Sequence, residues 1–91
     1  DLDAVFVNSD LMAIEAMKAL RGAGKRIPDD VAVVGYDNLS ITEQVTPQLT
    51  TISQHINLAG RLLAQNLHQF LHTGQVTHVT MPVELVRRES A

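Results

Sequence analysis

The segment Val31-Ala32-Val33-Val34-Gly35-Tyr36-Asp37-Asn38 constrains what this chain can fold into more than any other. Four apolar residues run without polar alternation into a glycine, an aromatic ring and an acid–amide pair. A strand with one wet face alternates. An unbroken Val/Ala run belongs to a strand covered on both faces, the pattern of parallel sheets in α/β proteins. Gly35 is where the backbone can leave the sheet, and Asp37 then stands at the carboxyl end of the strand, the edge at which open α/β sheets bind small ligands. A carboxylate there suits sugar or ribose hydroxyls, because it accepts the hydrogen bonds they donate.

The rest of the chain supplies the elements such a sheet needs. Ala4-Val5-Phe6-Val7 reads as a short buried strand, and Asn8-Ser9-Asp10 after it favours a turn and a helix N-cap. Residues 11–22 carry a helical period, with Met12, Ala16, Ala19 and Leu20 on one face and Ala13 and Met17 beside it. Gly22 and Gly24 close that helix, Arg21, Lys25 and Arg26 suit the negative end of its dipole, and Pro28 opposes continuation. Residues 39–47 lack a clean period and fit a single helical turn, and Leu49-Thr50-Thr51-Ile52 is a short β-rich stretch. The strongest helical signal runs over 57–73, where Ala59, Leu62, Leu63, Leu67, Phe70 and Leu71 repeat on one face and Gly74 follows as a cap. Residues 76–86 read as one or two strands broken at Pro82. The order β-α-β-turn-β-α-β argues for an α/β sandwich.

Size and charge narrow the function. Ninety-one residues make one small domain, below the usual size of an α/β fold. A strand pattern that starts almost at Asp1, with no initiating methionine, is expected of a piece of a longer protein. The net charge of −3, with the basic residues scattered, argues against this segment gripping nucleic acid, which needs clustered Lys and Arg. The lack of cysteine excludes disulfides and thiolate metal sites and fits a cytoplasmic protein. No apolar run approaches membrane-spanning length, and no signal peptide is visible.

The loops at 8–10 and 35–38 would emerge on the same sheet edge if their strands are parallel neighbours joined by a right-handed crossover. They would then gather Ser9, Asp10, Asp37 and two amides into a rim able to read hydroxyls. Asp10, immediately before the helix, reads first as its cap. Asp37 stays open between a turn residue and a ligand contact. His68 and His72 are spaced for one helix face, but no third ligand accompanies them and no glutamate lies between, so they read as ordinary side chains and no metal site is expected. His55 and His78 are isolated. Ser9, Ser40, Ser53 and Ser90 lack a nucleophile elbow, and the five glycines are too spread for a phosphate loop. Neither an enzyme nor a cofactor is expected. Ile14 lies off the Met12–Ala16–Ala19 stripe near Glu15 and Lys18, and Ile41 and Val45 fall in no periodic pattern. They are scattered surface apolars or a subunit contact.

Several motifs recur in order along nearly the whole chain: Asp3-Ala4-Val5-Phe6; Ser9-Asp10-Leu11-Met12-Ala13; Ile27-Pro28-Asp29-Asp30 running into the strand and Asp37-Asn38; Thr46-Pro47; Leu49-Thr50-Thr51-Ile52 with Gln54; Gly60; and Glu84-Leu85-Val86-Arg87-Arg88-Glu89-Ser90. In these the chain resembles the lac-repressor (LacI/GalR) family of bacterial transcription regulators. The resemblance implies the C-terminal part of an effector-binding core, an α/β parallel-sheet three-layer sandwich of the type I periplasmic-binding-protein-like kind. In that family two subdomains close on a small molecule such as a sugar, a nucleoside or a purine. By the resemblance Asp37 is the acid that bonds ligand hydroxyls or ring nitrogens. Ser9 stands where many members carry a ligand-contacting Asn. Asp10 matches the acid beside it, mainly a helix cap, and Gln54 approaches the cleft from the crossover. Ile14, Lys18, Ile41 and Val45 match the dimer face.

The resemblance also implies that about 1–53 and 84–91 belong to the second subdomain, while 54–83 cross to the first. A helix-turn-helix head, a hinge and most of the first subdomain would precede the segment. The expected whole is a cytoplasmic homodimer that senses a sugar-like or nucleoside-like effector, touches DNA only through the absent head, and has no membrane partner. The second helix would lack its partners here and expose Leu62, Leu63 and Leu67. A periplasmic solute-binding protein of a sugar transport system is the alternative, and a signal peptide would mark it. A hydrolase fragment would need a catalytic pair. The ending Leu85-Val86-Arg87-Arg88-Glu89-Ser90 favours the regulator.

Overall fold

A computed structural model describes residues 2–91. The order is β1 (Ala4–Phe6), α1 (Asp10–Gly22), β2 (Ala32–Tyr36), a 3-10 turn (Ser40–Glu43), β3 (Thr50–Ser53), α2 (Ile56–Thr73) and β4 (Glu84–Val86). The strands form one four-stranded sheet in the order β1-β2-β3-β4. β1, β2 and β3 are parallel, with Val5 opposite Val33 and Gly35 opposite Thr51. β4 returns antiparallel to β3 and sets Val86 opposite Thr51. This is the expected α/β class with a mostly parallel sheet. Residues 76–81, read as possible strand, are irregular. A strand needs a neighbour to bond, and their register meets none among the described residues.

α1 begins because the Ser9 hydroxyl accepts a hydrogen bond from the Met12 N–H at 3.2 Å, satisfying one of the free donors of the first turn. It ends at Ala23, and Gly24 then takes a φ of +81° that a side chain would oppose. Its buried face is Asp10, Ala13, Ile14 and Met17, an i, i+3, i+4, i+7 stripe. Those apolar residues close on Val33 and Leu49, with Val5, Val7, Leu20, Ile27 and Val45 packed around them. A fully buried side chain the size of Met17 or Leu49 contributes about 1.5–3 kcal/mol relative to exposure.

The stripe expected from the sequence is corrected here: Met12 is 63% exposed, and Ile14, expected off the stripe, is 9% exposed and in the core. α1 is apolar at most positions, so periodicity alone leaves its rotation undecided. Asp10 decides it, because its carboxylate must turn inward to meet Thr51 and the Leu39 N–H.

The other face of the sheet carries Phe6, 59% exposed and edge-on to Tyr36 with ring centres 6.2 Å apart. After β4 the chain returns to bond the main chain of β2 and β3. Buried Ser90 donates from its hydroxyl to the Val33 carbonyl at 2.6 Å and accepts from the Thr50 N–H at 2.8 Å, tying β2 to β3. α2 has no buried residue, and the molecule extends 58 Å along its long axis but 25 and 18 Å across. Leu63 and Leu67 are exposed, as expected, and Leu62 is half-buried. Among the described residues no helix is long and apolar enough to cross a membrane.

Candidate functional site

The site starts at the corner where β2 ends. The Asp37 N–H bonds the Ile52 carbonyl at 2.8 Å, the last rung between β2 and β3. The backbone then breaks sharply, with φ at +120° for Asp37 and +59° for Asn38. Asp and Asn tolerate positive φ better than other side chains, yet a sparsely populated conformation costs of order 1–3 kcal/mol and persists only where surroundings hold it. Here they do. The Asn38 N–H bonds the Thr51 hydroxyl at 3.3 Å, and the Leu39 N–H bonds the Asp10 carboxylate at 2.7 Å. The Arg88 guanidinium bonds the Asn38 side-chain oxygen at 2.8 Å. Gly35 makes the corner's base possible, because a Cβ there would stand 2.5 Å from the Asp10 Oδ1 and 2.9 Å from the Leu49 side chain.

Asp37 is half-buried at this corner. Its Oδ1 accepts from the Gln54 side-chain amide at 2.6 Å. No bond from the described residues reaches Oδ2, so one carboxylate oxygen is fixed and the other can accept from outside. Asp37, Asn38, Leu39 and Ser40 form one wall of an open cleft of about 670 Å³. Ser53 at the end of β3, His55 on the crossover, and Ile56, Asn57, Leu58 and Arg61 in the first turns of α2 complete the lining. The lining mixes short hydroxyls and amides with aliphatic side chains, and its charged residues are Asp37 and Arg61. Such a wall can bond hydroxyls directionally and cover the apolar face of a small polar molecule.

The fold has counterparts in known proteins. The periplasmic binding protein-like domain family matches the chain over residues 1–91. The chain belongs to that family. Its resemblance within the family is to the LacI-type regulators. It is 45% identical to the HTH-type transcriptional regulator CelR of Thermobifida fusca, over 94% of this chain and 24% of the relative. Among solved structures it is similar to a transcriptional regulator CelR–cellobiose complex, at a TM-score of 0.94 and 39% identity, covering 100% of this chain and 28% of that one. A LacI family transcriptional regulator from Enterococcus faecium with bound ribose gives a TM-score of 0.88 and 33% identity, over 97% and 34% of the two chains. The chain therefore spans about a quarter to a third of the length of these LacI-type relatives.

Within the LacI-type frame the residues singled out in the sequence separate. The loops at 8–10 and 35–39 do meet on one sheet edge, joined by the bond from Leu39 to Asp10. Asp37 and Gln54 are in direct contact. Ser9, not Asp10, caps α1, and neither lines the cleft. Asp10 is fully buried, with Oδ1 bonded to the Thr51 hydroxyl at 2.6 Å and Oδ2 to Leu39. It is an internal tie beneath the corner, which corrects its cap reading. Of the residues matched to a dimer face, Ile14 is core and Val45 packs against the core, whereas Lys18 and Ile41 are exposed. His68 and His72 stack with ring centres 4.1 Å apart, and the His72 Nδ1 lies 2.9 Å from the His68 carbonyl oxygen.

The sequence places Asn38 in the rim as one of its two amides but gives Arg88 no role in the site. Arg88 has partners 38–50 positions away, so no local spacing could reveal it. His55 and Arg61 were also unassigned, because a wall made by a crossover is invisible until the strands are placed.

Proposed function

We propose that this chain is the C-terminal part of the effector-sensing and dimerisation core of a DNA-binding transcriptional regulator, and that its ligand is a sugar or sugar-like molecule. One observation carries the reading: Asp37 stands at the carboxyl end of β2 and lines a polar cleft, with one carboxylate oxygen held by Gln54. With Oδ1 pinned by Gln54 the carboxylate is already ordered, so its other oxygen can accept from a sugar hydroxyl without that cost. The cellobiose and the ribose in the two similar structures support that ligand class. The regulators among the relatives support a sensor over a transport protein.

Residues of about 1–53 and 84–91 then form one subdomain, and 54–83 lead into the other, which is why α2 has no buried residue here. Ser9 keeps a hydroxyl proton free while it caps α1, so it stays a candidate second contact once the cleft closes. Lys18 and Ile41 belong to the surface that pairs two copies in the cell's cytoplasm, with DNA bound by a head outside these residues. The chain binds and does not catalyse. Its mechanism is differential affinity: the effector favours the closed arrangement of the subdomains, and that arrangement changes how paired heads meet DNA.

The test is calorimetric titration of the whole protein with cellobiose and with ribose, for the unsubstituted protein and Asp37→Asn. The unsubstituted protein binds at least one sugar, and Asp37→Asn weakens it at least about ten-fold, the scale of losing a hydrogen bond to a charged group. Equal affinity in the two proteins would remove Asp37 from the site.

A further inference from the structure

Arg88 is 11% exposed, and its guanidinium holds two segments at once. One terminal nitrogen bonds the Asn38 oxygen at 2.8 Å and approaches Glu43 at 3.3 Å. The other bonds the Thr42 hydroxyl and the Leu49 carbonyl, each at 2.9 Å. The Arg88 N–H also bonds the Thr50 hydroxyl at 2.8 Å, which anchors the residue's own backbone to β3. Asn38 directly follows Asp37 in the positive-φ corner, and Thr42 lies in the 3-10 turn that also carries exposed Ile41. A planar fork with several donors can fix two partners in one geometry, whereas a lysine at the same place is a single point charge.

We infer that Arg88 is the positioning residue of the ligand corner: it holds the positive-φ backbone that aims Asp37 into the cleft, and it locks that corner to the turn at residues 40–43 so that the two move together. Arg88 does not line the cleft. It acts through Asn38, and its effect on affinity rests on the sugar-site reading above.

The test is a double-variant cycle in the whole protein, with Arg88→Ala, Asn38→Ala and the pair, read by calorimetry with cellobiose and ribose and by amide hydrogen exchange. Arg88→Ala and Asn38→Ala each weaken sugar binding roughly ten-fold, the scale of one charge-assisted hydrogen bond. The double variant is no weaker than the worse single one, and Arg88→Lys restores only part of the loss. Each of these variants also speeds exchange over residues 37–44. Ser90→Ala, which removes a buried tie elsewhere in the sheet, lowers the melting temperature and leaves affinity per folded molecule unchanged. Losses that add fully, or an Arg88→Ala protein that loses stability while keeping affinity and exchange at 37–44, would overturn the inference. If the unsubstituted protein binds neither sugar, the sugar reading fails. The exchange cycle then decides separately whether Arg88 locks corner to turn.

Discussion

Asp10 and Gly35 together explain why a sharp corner can stand at the end of β2. A buried carboxylate fits only because the residue facing it has no side chain, and the carboxylate in turn orders Leu39 and Thr51. Gly35→Ala should therefore cost about 1–3 kcal/mol of stability, the usual penalty of overpacking a filled interior. A denaturation midpoint equal to the parent's would show that Asp10 can move aside freely. A second residue-scale device lies at the far end of the sheet. Asp30 accepts from the Arg26 side chain at 3.1 and 3.2 Å and from its backbone N–H at 2.8 Å, closing the loop before β2. The Arg26 side-chain hydrogen bond, followed by its backbone N–H, holds the Asp30 carboxyl below its ordinary value. A carboxyl with a lowered folded value stabilises above its ordinary range and loses that contribution as pH falls through the lowered value. The stability gap between the parent and Asp30→Asn should accordingly be present at neutral pH and shrink in acid, and a gap independent of pH would contradict it. The Asp37 corner was legible in the sequence because strand, glycine and acid follow one another locally. The Asp10 tie was not, since the same residue type before a helix serves equally well as a cap.

At the scale of elements, α1 shows where periodicity stops being informative. Leu11, Met12, Ala13, Ile14, Ala16, Met17, Ala19 and Leu20 make overlapping stripes, and a buried polar contact from Asp10 chooses among them. The choice is measurable. Met17→Ala, at a fully buried position, should cost about 2–5 kcal/mol. Met12→Ala should stay within about 0.5 kcal/mol, as exposed substitutions do. The reverse order in thermal or denaturant unfolding would restore the stripe that the sequence favoured. The strands were easier to read, because unbroken Val runs and a β-rich Thr-Thr-Ile leave few alternatives. The residues around 76–81 show the limit of that rule: β-branched composition does not make a strand without a partner edge.

The whole molecule is uneven, with a compact sheet-and-helix half and a second half whose long helix has no buried residue. Among the described residues fifteen large apolar side chains are exposed, including Leu63, Leu67 and Leu71 of α2 and Phe6 of the sheet's open face. Exposed apolar surface of this extent marks a face for a partner or a further part of the fold, and the chain covers about a quarter to a third of the relatives it matches. The fold family was legible because its motifs run the full length of the chain. Of the candidate site, the contact between Asp37 and Gln54 joins two residues the sequence singled out, although Gln54 does not line the cleft, while the residues on α2 and Arg88 depend on contacts between distant segments. Under the proposed function, a sugar held at Asp37 controls DNA binding by the whole protein. The most direct measurement is fluorescence anisotropy of that protein on the DNA upstream of its own coding region, with and without a sugar shown to bind it. The account predicts that the sugar changes DNA affinity by roughly 5- to 150-fold, the usual range of allosteric coupling, and that Asp37→Asn abolishes the change. The same DNA affinity with and without bound sugar, or an undiminished response in Asp37→Asn, would contradict it.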